Sequence, residues 1–235
     1  MKQQRELTPE LRSAESRFLL KGMAFVATAL LLFNGCKKEP AEIATINSLE
    51  ADSIIVDTLP CGNFRTQTQG GWGSTPQGNN PGTYLHANFA GAFPTGLSVG
   101  CTYSLLFTSA QAITDYLPDG GPAIVLTQNY TNPVKLKNVL ASQIVALSLS
   151  VRFDAYDPAF GGSSVALGDL IIVSGTFAGM SVNAVLAEAN KVLGGCISIY
   201  TLSDMVEVIS SINQNFVDGT INGGFLQCPS EGGPW

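Results

Sequence analysis

Apolar residues recur every three to four positions in three long segments of the chain, which predicts three amphipathic helices. The first segment, residues 136–153, fits one helical face, although its second half also alternates as a strand would, from Val145 to Phe153. We favour a helix that runs to about Ser148 and extends further if packing requires it.

The other two helical patterns carry their own start and stop signals. Ser181 precedes apolar residues at helical spacing and can cap their helix, which Gly194-Gly195 then ends. Thr201 followed by Asp204 resembles a capping box, in which each side chain bonds to the other residue's backbone N–H. The boundaries of these two helices therefore follow from local signals.

Shorter segments predict two more helices and a small set of strands. The helices are Thr83–Phe93 and a Ser109-capped helix that ends at Leu117. The expected strands are Phe64–Gln69, Val99–Thr108, Ala123–Thr127 and Leu170–Val173. Glycine and proline crowd residues 70–82, which predicts an extended surface loop. The mixture predicts the α+β class: one domain with several amphipathic helices packed on a small β-sheet.

The chain ahead of these elements carries the pattern of an export signal. Five basic residues up to Lys21 precede an uncharged, largely apolar stretch of 15 residues that ends at Lys37. A membrane-spanning helix needs about 20 apolar residues, so this stretch is short for one. It is well sized for the apolar region of a signal peptide, and we assign residues 1–35 to that role.

Leu32-Phe33-Asn34-Gly35-Cys36 resembles the lipobox of bacterial lipoproteins, in which apolar residues and a small residue precede an obligatory cysteine. The resemblance implies that the chain is cut before Cys36 and that this cysteine carries acyl chains such as palmitate, which anchor it in membrane lipid. Lys37 stands where lipoproteins retained in the inner membrane of Gram-negative bacteria carry Asp. The resemblance therefore implies the outer membrane, facing either the periplasm or the cell surface.

The residues after the anchor predict a flexible tether at 36–60, an extracytoplasmic domain at 61–228 and a short tail at 229–235. In the tether, Asp-Ser-Ile and Asp-Thr-Leu resemble a sequence that some Gram-negative bacteria O-glycosylate on exported proteins. The resemblance implies glycosylation at Ser53 and Thr58. The alternative is chance, since three-residue patterns recur often.

The charge of the chain excludes two classes of partner. Without residues 1–35 the chain keeps seven basic and fifteen acidic residues, a net charge of −8. Binding of nucleic acid depends on cationic contacts to phosphates, and docking on anionic lipid also requires basic residues. We expect neither kind of partner, and a solvated acidic exterior is a sufficient explanation of the charge.

Four cysteines follow Cys36, and this even number predicts two disulfides in an oxidising compartment. Three connectivities are possible. Because Cys61 and Cys228 stand near the two ends of the domain, we favour Cys61–Cys228 together with Cys101–Cys196. The alternative, a metal site, lacks both a CxxC pair and a flanking His. We expect no metal and no cofactor.

Two patterns suggest catalysis, and neither is complete. Residues 96–100 match GxSxG around Ser98, the nucleophile elbow of α/β-hydrolases, but the residues that follow predict a strand and the single histidine, His86, precedes the motif. Asp154, Asp157 and Asp169 could form an acidic cluster for calcium or for paired-carboxylate hydrolysis, although they lack EF-hand spacing. We assign no catalytic residue and keep a carboxylate hydrolase as the alternative function.

Aromatic side chains in polar loops suggest a binding site. Trp72 lies among Thr, Gln, Gly and Asn residues, and with Tyr84 and Tyr130 it could stack on a sugar ring or on a protein partner. We favour the other interpretation, in which Trp72 folds back and holds its own glycine-rich loop. Trp72 and Tyr84 are the candidate ligand contacts.

Three stretches resemble an uncharacterised domain of secreted bacterial surface proteins. They are residues 64–100, which contain TQTQGGWG and GNNPGTYLH, residues 168–195 and residues 212–220. The resemblance implies an extracytoplasmic location and no particular activity. We expect a lipid-anchored, non-catalytic binding or structural module of the cell envelope, with a glycan or a surface protein as its ligand. The alternative is an envelope or glycan hydrolase.

Overall fold

The computed structural model describes residues 59–230. Its helices are α1 Gln69–Trp72, α2 Pro81–Ala92, α3 Ala110–Tyr116, α4 Val139–Tyr156, α5 Pro158–Gly161, α6 Val182–Gly194 and α7 Leu202–Asn215, with one 3-10 turn at Leu167–Asp169. Its strands are β1 Leu97–Gly100, β2 Ser104–Phe107, β3 Tyr130–Thr131, β4 Ile171–Ile172 and β5 Leu226–Gln227. Strands β1, β2 and β3 form one sheet, and β4 pairs with β5. The α+β prediction is confirmed. None of the helices in this described range is long and apolar enough to cross a membrane.

Helix α4 lies at the centre of the core and packs against α1, α6 and α7. Residues from both of its sequence patterns are buried: Ile144, Val145 and Leu147 are each 0% exposed. A helix that is apolar on all sides belongs inside a domain, which explains why this segment also alternates like a strand. Packing carries the helix beyond Ser148 to Tyr156.

Side-chain caps begin three helices at the predicted positions. Ser109 and Ser181 accept backbone N–H groups at the starts of α3 and α6. Thr201 and Asp204 form the reciprocal capping box at the start of α7. Gly195 ends α6 in the left-handed conformation, with φ 77°. These predictions are confirmed because each signal acts within one turn of its own helix.

The predicted strand Val99–Thr108 is instead a hairpin. Strands β1 and β2 pair antiparallel, with Gly100 opposite Ser104, and the chain turns between them. Strand β2 then pairs parallel with β3. The loose alternation in the sequence therefore belongs to two short strands that face each other.

Two other predicted strands are absent from the sheets of the described domain, and a third is shortened. Residues 123–127 are irregular, because the Leu126 N–H bonds to the Leu193 carbonyl of α6, 2.8 Å away, and to no strand. Residues 64–68 are extended but make one isolated bridge, between Thr66 and Val217, and Gln69 already belongs to α1. The predicted strand at Leu170–Val173 is reduced to β4.

The glycine- and proline-rich segment 70–82 is a folded turn, not the extended loop that its composition predicts. Helix α1 forms one turn at the beginning of this segment. The side chain of Asn80 bonds to backbone N–H groups in the remainder. The Asn80 Oδ1 accepts the N–H of Gln77 at 3.2 Å and the N–H of Thr83 at 2.9 Å. The same side chain thereby caps α2, which begins two residues before its predicted start.

Two disulfides join distant parts of the chain. Cys61 is bonded to Cys228 and Cys101 to Cys196, the connectivity that the sequence favours. The bonded residues are 167 and 95 positions apart. Crosslinks over such distances restrict the unfolded chain, and each typically stabilises a fold by about 2–4 kcal/mol.

Candidate functional site

A cleft of about 550 Å³ opens between the start of α2 and three other parts of the domain. These are the extended segment from Arg65 to Gln67, Phe160 of α5 and the turn at Asp218. Small-molecule sites in proteins commonly measure about 300–1,000 Å³, so the cleft is large enough to hold a ligand. We refer to it as the Arg65 cleft.

The backbone pairing of two distant segments builds one wall of the Arg65 cleft. The Thr66 N–H donates to the Phe216 carbonyl at 2.9 Å, and the Asp218 N–H donates to the Thr66 carbonyl at 3.2 Å. This pairing buries Thr66 and sets Arg65 and Gln67 beside the turn at Asp218. Gln67 Nε2 donates to Asp218 Oδ1 at 2.7 Å, which fixes the carboxylate at the cleft wall.

Arg65 supplies the positive charge of the cleft and has no acidic partner in the described part of the chain. Its guanidinium carbon lies 5.7 Å from the centre of the Phe160 ring, in a cation–π contact. No carboxylate of residues 59–230 forms an ion pair with it. Its Nε is buried without a hydrogen-bond acceptor in this part of the chain. The terminal nitrogens of the guanidinium also make no hydrogen bond to these residues, so they are available to a group that enters the cleft.

Tyr84 forms an aromatic wall and is held rigidly. Its ring packs 5.2 Å from the rings of Phe153 and Phe160. Its hydroxyl donates to Asp157 Oδ2 at 2.8 Å. Burial, and after it the hydrogen bond to Asp157, raises the pKa of the Tyr84 phenol well above its usual range. The hydroxyl is therefore protonated at neutral pH and anchored behind the cleft.

Trp72 lies beneath the cleft. The side chain is 0% exposed, and its Nε1 donates to Ser150 Oγ at 3.2 Å. The structure agrees with the favoured interpretation, in which Trp72 folds back and holds its own glycine-rich segment. A buried indole offers no face to a sugar ring or a protein partner, which corrects the candidate assignment of Trp72 as a ligand contact. Of the two candidate contacts, Tyr84 remains a partly exposed wall of the cleft.

Two amide side chains complete the polar rim. Asn79 is exposed at the mouth, and its side chain makes no hydrogen bond to the residues that the structure describes. Asn88, one turn beyond Tyr84 on α2, donates from Nδ2 to the Tyr84 carbonyl at 2.9 Å. The rim thus combines donors and acceptors, since an amide side chain supplies both.

The three aspartates of the sequence-predicted acidic cluster each have a partner within the fold. Asp154 accepts the Leu167 N–H at 2.6 Å, and Asp169 accepts the Asn183 side chain at 3.3 Å. Asp157 caps α5 besides holding Tyr84. Burial raises the pKa of Asp154, and nearby Asp169 raises it further. Within residues 59–230, no three His, Cys, Asp or Glu side chains are grouped as metal ligands.

The remaining sequence candidates lie in ordinary structural positions. Ser98 sits on β1, where it pairs with Leu106, so the GxSxG match is part of a hairpin and not an elbow. His86 Nε2 is 3.0 Å from Thr114 Oγ1, which links α2 to α3. Tyr130 lies in β3, away from the cleft-lining residues.

Sequence reasoning missed Arg65 as a functional residue. One signal in the sequence points to it, because it is the only basic residue between Lys38 and Lys135.

The predicted lipidation at Cys36 and O-glycosylation at Ser53 and Thr58 lie outside the described residues. Comparison of the chain with protein-family models, with curated proteins and with solved structures finds no match in any of the three. The resemblance to secreted surface domains therefore stays a prediction.

Proposed function

We propose that the protein is a lipid-anchored module of the bacterial cell envelope that binds a ligand in the Arg65 cleft without transforming it. One observation carries the binding role. The cleft presents an unpaired guanidinium and two rim amides beside a rigid aromatic wall. Such a combination of a few polar groups with apolar walls is typical of ligand sites.

The fixed geometry of the cleft supports recognition. Gln67 holds Asp218, Asp157 holds Tyr84, and Phe160 lies against Arg65. Side chains that are immobilised before binding lose little conformational entropy when a ligand arrives, which favours affinity. Asp218 is the one carboxylate that lines the cleft, whereas hydrolysis of a glycosidic bond ordinarily uses two.

The location has separate support. The lipobox around Cys36 and the uncharged stretch before it predict export and acylation. Two disulfides in the described domain fit an oxidising compartment. We place the module at the outer membrane, anchored through Cys36.

The binding role is tested with the purified full-length protein in detergent, screened against immobilised glycans and cell-envelope proteins. Asn79→Ala removes an exposed rim amide, and Gln128→Ala is the matched control, since it removes an exposed amide outside the cleft that makes no hydrogen bond to the described residues. We expect wild type and Gln128→Ala to bind the same ligand and Asn79→Ala to bind it more weakly. Absence of any ligand would overturn the binding role in favour of a structural one.

The anchor is tested by growing cells that express the protein with labelled palmitate. We expect label in the wild-type protein and none in Cys36→Ala. Label that persists in Cys36→Ala would contradict acylation at this cysteine and the location inferred from it.

A further inference from the structure

We infer that the Arg65 cleft binds an acidic sugar, a uronic acid unit of an oligosaccharide, whose carboxylate pairs with the Arg65 guanidinium. The inference rests on the proposed function, because it names the ligand class of the same cleft. It follows from three features: the single cation, the N–H groups of α2 that are already bonded, and the hydrogen-bonding and aromatic side chains of the other walls.

The guanidinium of Arg65 is a planar cation, and a planar anion matches it. Arg65 has no ion pair within the described residues, and its Nε is buried without an acceptor. The terminal nitrogens of Arg65 also have no partner among the described residues, and a cation at a cleft wall without a protein partner can form charge-assisted hydrogen bonds to an anionic ligand. The guanidinium fork matches a carboxylate in two parallel hydrogen bonds.

A carboxylate fits this site better than a phosphate does. The first N–H groups of α2, which would be the usual phosphate donors, are already used. The Gly82 N–H bonds to Ser74 Oγ at 3.1 Å and the Thr83 N–H to Asn80 Oδ1 at 2.9 Å. Arg65 is the one basic residue that lines the cleft, and Asp218 also lines it. A single positive charge beside a carboxylate suits a ligand group with one negative charge, whereas a phosphate carries about two.

The rest of the cleft suits hydroxyl groups. Asn79 and Asn88 carry amides that both donate and accept, and Asp218 accepts from hydroxyls. The aromatic rings of Tyr84 and Phe160 supply an apolar surface. The cleft-lining residues belong to helices, turns and one extended segment, and none belongs to a strand to which a peptide could add. A ring bearing several hydroxyls and one carboxylate uses all of these groups.

The test is calorimetric titration of the full-length protein in detergent. The probes are oligosaccharides of galacturonic, glucuronic and mannuronic acid, each beside its carboxyl-reduced form, which keeps the ring and gains a hydroxyl. The variants are Arg65→Gln, which removes the charge, and Arg65→Lys, which keeps the charge but not the fork. Arg152→Gln is the matched control, since Arg152 bonds to the Ala92 carbonyl and does not line the cleft.

We expect at least one uronate to bind roughly tenfold or more tightly than its reduced form, as a charge-assisted bidentate pair allows. Arg65→Gln should abolish that ratio while the reduced sugar still binds, and Arg152→Gln should leave it unchanged. Arg65→Lys should give an affinity ratio between those of the wild type and Arg65→Gln. If Arg65→Gln lowers the thermal unfolding midpoint, the wild-type protein alone provides the test. The ratio of its affinity for a uronate to its affinity for the reduced sugar should then decrease with added salt.

Three outcomes would overturn the inference. Equal binding of uronates and reduced sugars would show that the cleft does not recognise the carboxylate, while the binding role would stand. Binding of peptides with a free C-terminal carboxylate, with no uronate bound, would assign the cleft to another ligand class. Failure of every glycan and peptide to bind would overturn the proposed function as well.

Discussion

Trp72 donates a hydrogen bond from its indole Nε1 to the hydroxyl of Ser150, 3.2 Å away, in the interior of the domain. Ser150 lies on the central helix α4, and its hydroxyl also accepts the Gln67 N–H at 3.3 Å. One buried hydroxyl thus joins α4 to the segment that carries Arg65 and to the turn beneath the cleft. This link holds the floor and one wall of the Arg65 cleft on the core.

We therefore expect Ser150→Ala to destabilise the domain. The substitution leaves two buried donors without their acceptor, which typically costs about 1–3 kcal/mol for such a group. Urea unfolding followed by tryptophan fluorescence measures the change. Ser148→Ala, on the same helix and only partly buried, is the control and should change the free energy of unfolding little. Equal effects of the two variants would contradict a role for the Ser150 hydroxyl.

Gly194 allows α6 to approach the β1–β2 hairpin. A Cβ at this position would meet the backbone nitrogen of Cys101, and the Tyr103 N–H bonds to the Gly194 carbonyl at 3.0 Å. We expect Gly194→Ala to lower the free energy of unfolding by about 1–3 kcal/mol, the usual effect of overpacking. Gly120→Ala is the matched control, because nothing lies within 4 Å of its added Cβ. A stable Gly194→Ala variant would show that the hairpin can move away.

The Cys101–Cys196 disulfide links the same hairpin to the end of α6. The double variant Cys101→Ala, Cys196→Ala should unfold at a lower temperature, with a loss of about 2–4 kcal/mol. Thiol titration under denaturing conditions checks the pairing: the double variant should lose one reducible disulfide and keep Cys61–Cys228. An unchanged unfolding midpoint would indicate that the packing of α6 on β1 suffices without the bond.

Asp154 makes stability depend on pH. Burial raises the pKa of its carboxyl from the ordinary value of 3.8, so the folded chain holds this proton more tightly than the unfolded chain does. Ionisation of Asp154 therefore opposes folding. Its unfavourable contribution begins as the pH rises past the ordinary value and is complete above the raised one. Asp154→Asn cannot ionise and keeps an acceptor for the Leu167 N–H.

The stability of Asp154→Asn relative to wild type should consequently increase between about pH 3 and about pH 7. Urea unfolding at both pH values gives this difference. Asp115→Asn, a change at an exposed carboxyl on α3, is the control for the general effect of removing a carboxylate. A constant difference for Asp154→Asn would contradict the raised pKa.

Local signals allowed several elements to be predicted. The caps Ser109, Ser181 and Thr201 stand at helix starts, and Gly195 ends α6. Each acts through hydrogen bonds or backbone conformation within a single turn, so no distant residue is needed. The strand predicted at residues 123–127 is wrong because distant contacts determine the structure there. The backbone of these residues bonds to α6 and not to a strand.

The ligand-contact predictions show the same division. Aromatic rings in a polar segment make Trp72 and Tyr84 the candidate ligand contacts. The burial of Trp72, however, depends on its contacts with Ser150 and Phe153 of α4. The cleft itself depends on Gln67 and Asp218, which are 151 residues apart in the chain. No periodicity or composition relates such residues.

The sequence by itself determined the starts of α3, α6 and α7, the end of α6, the even set of cysteines beyond Cys36 and the α+β class, because these depend on neighbouring residues and on the overall pattern of apolar positions. Only the tertiary structure decided that Trp72 lies inside and that Arg65 faces a cleft with no acidic partner among residues 59–230. The physical reason is that burial and charge pairing are set by which distant segments pack together.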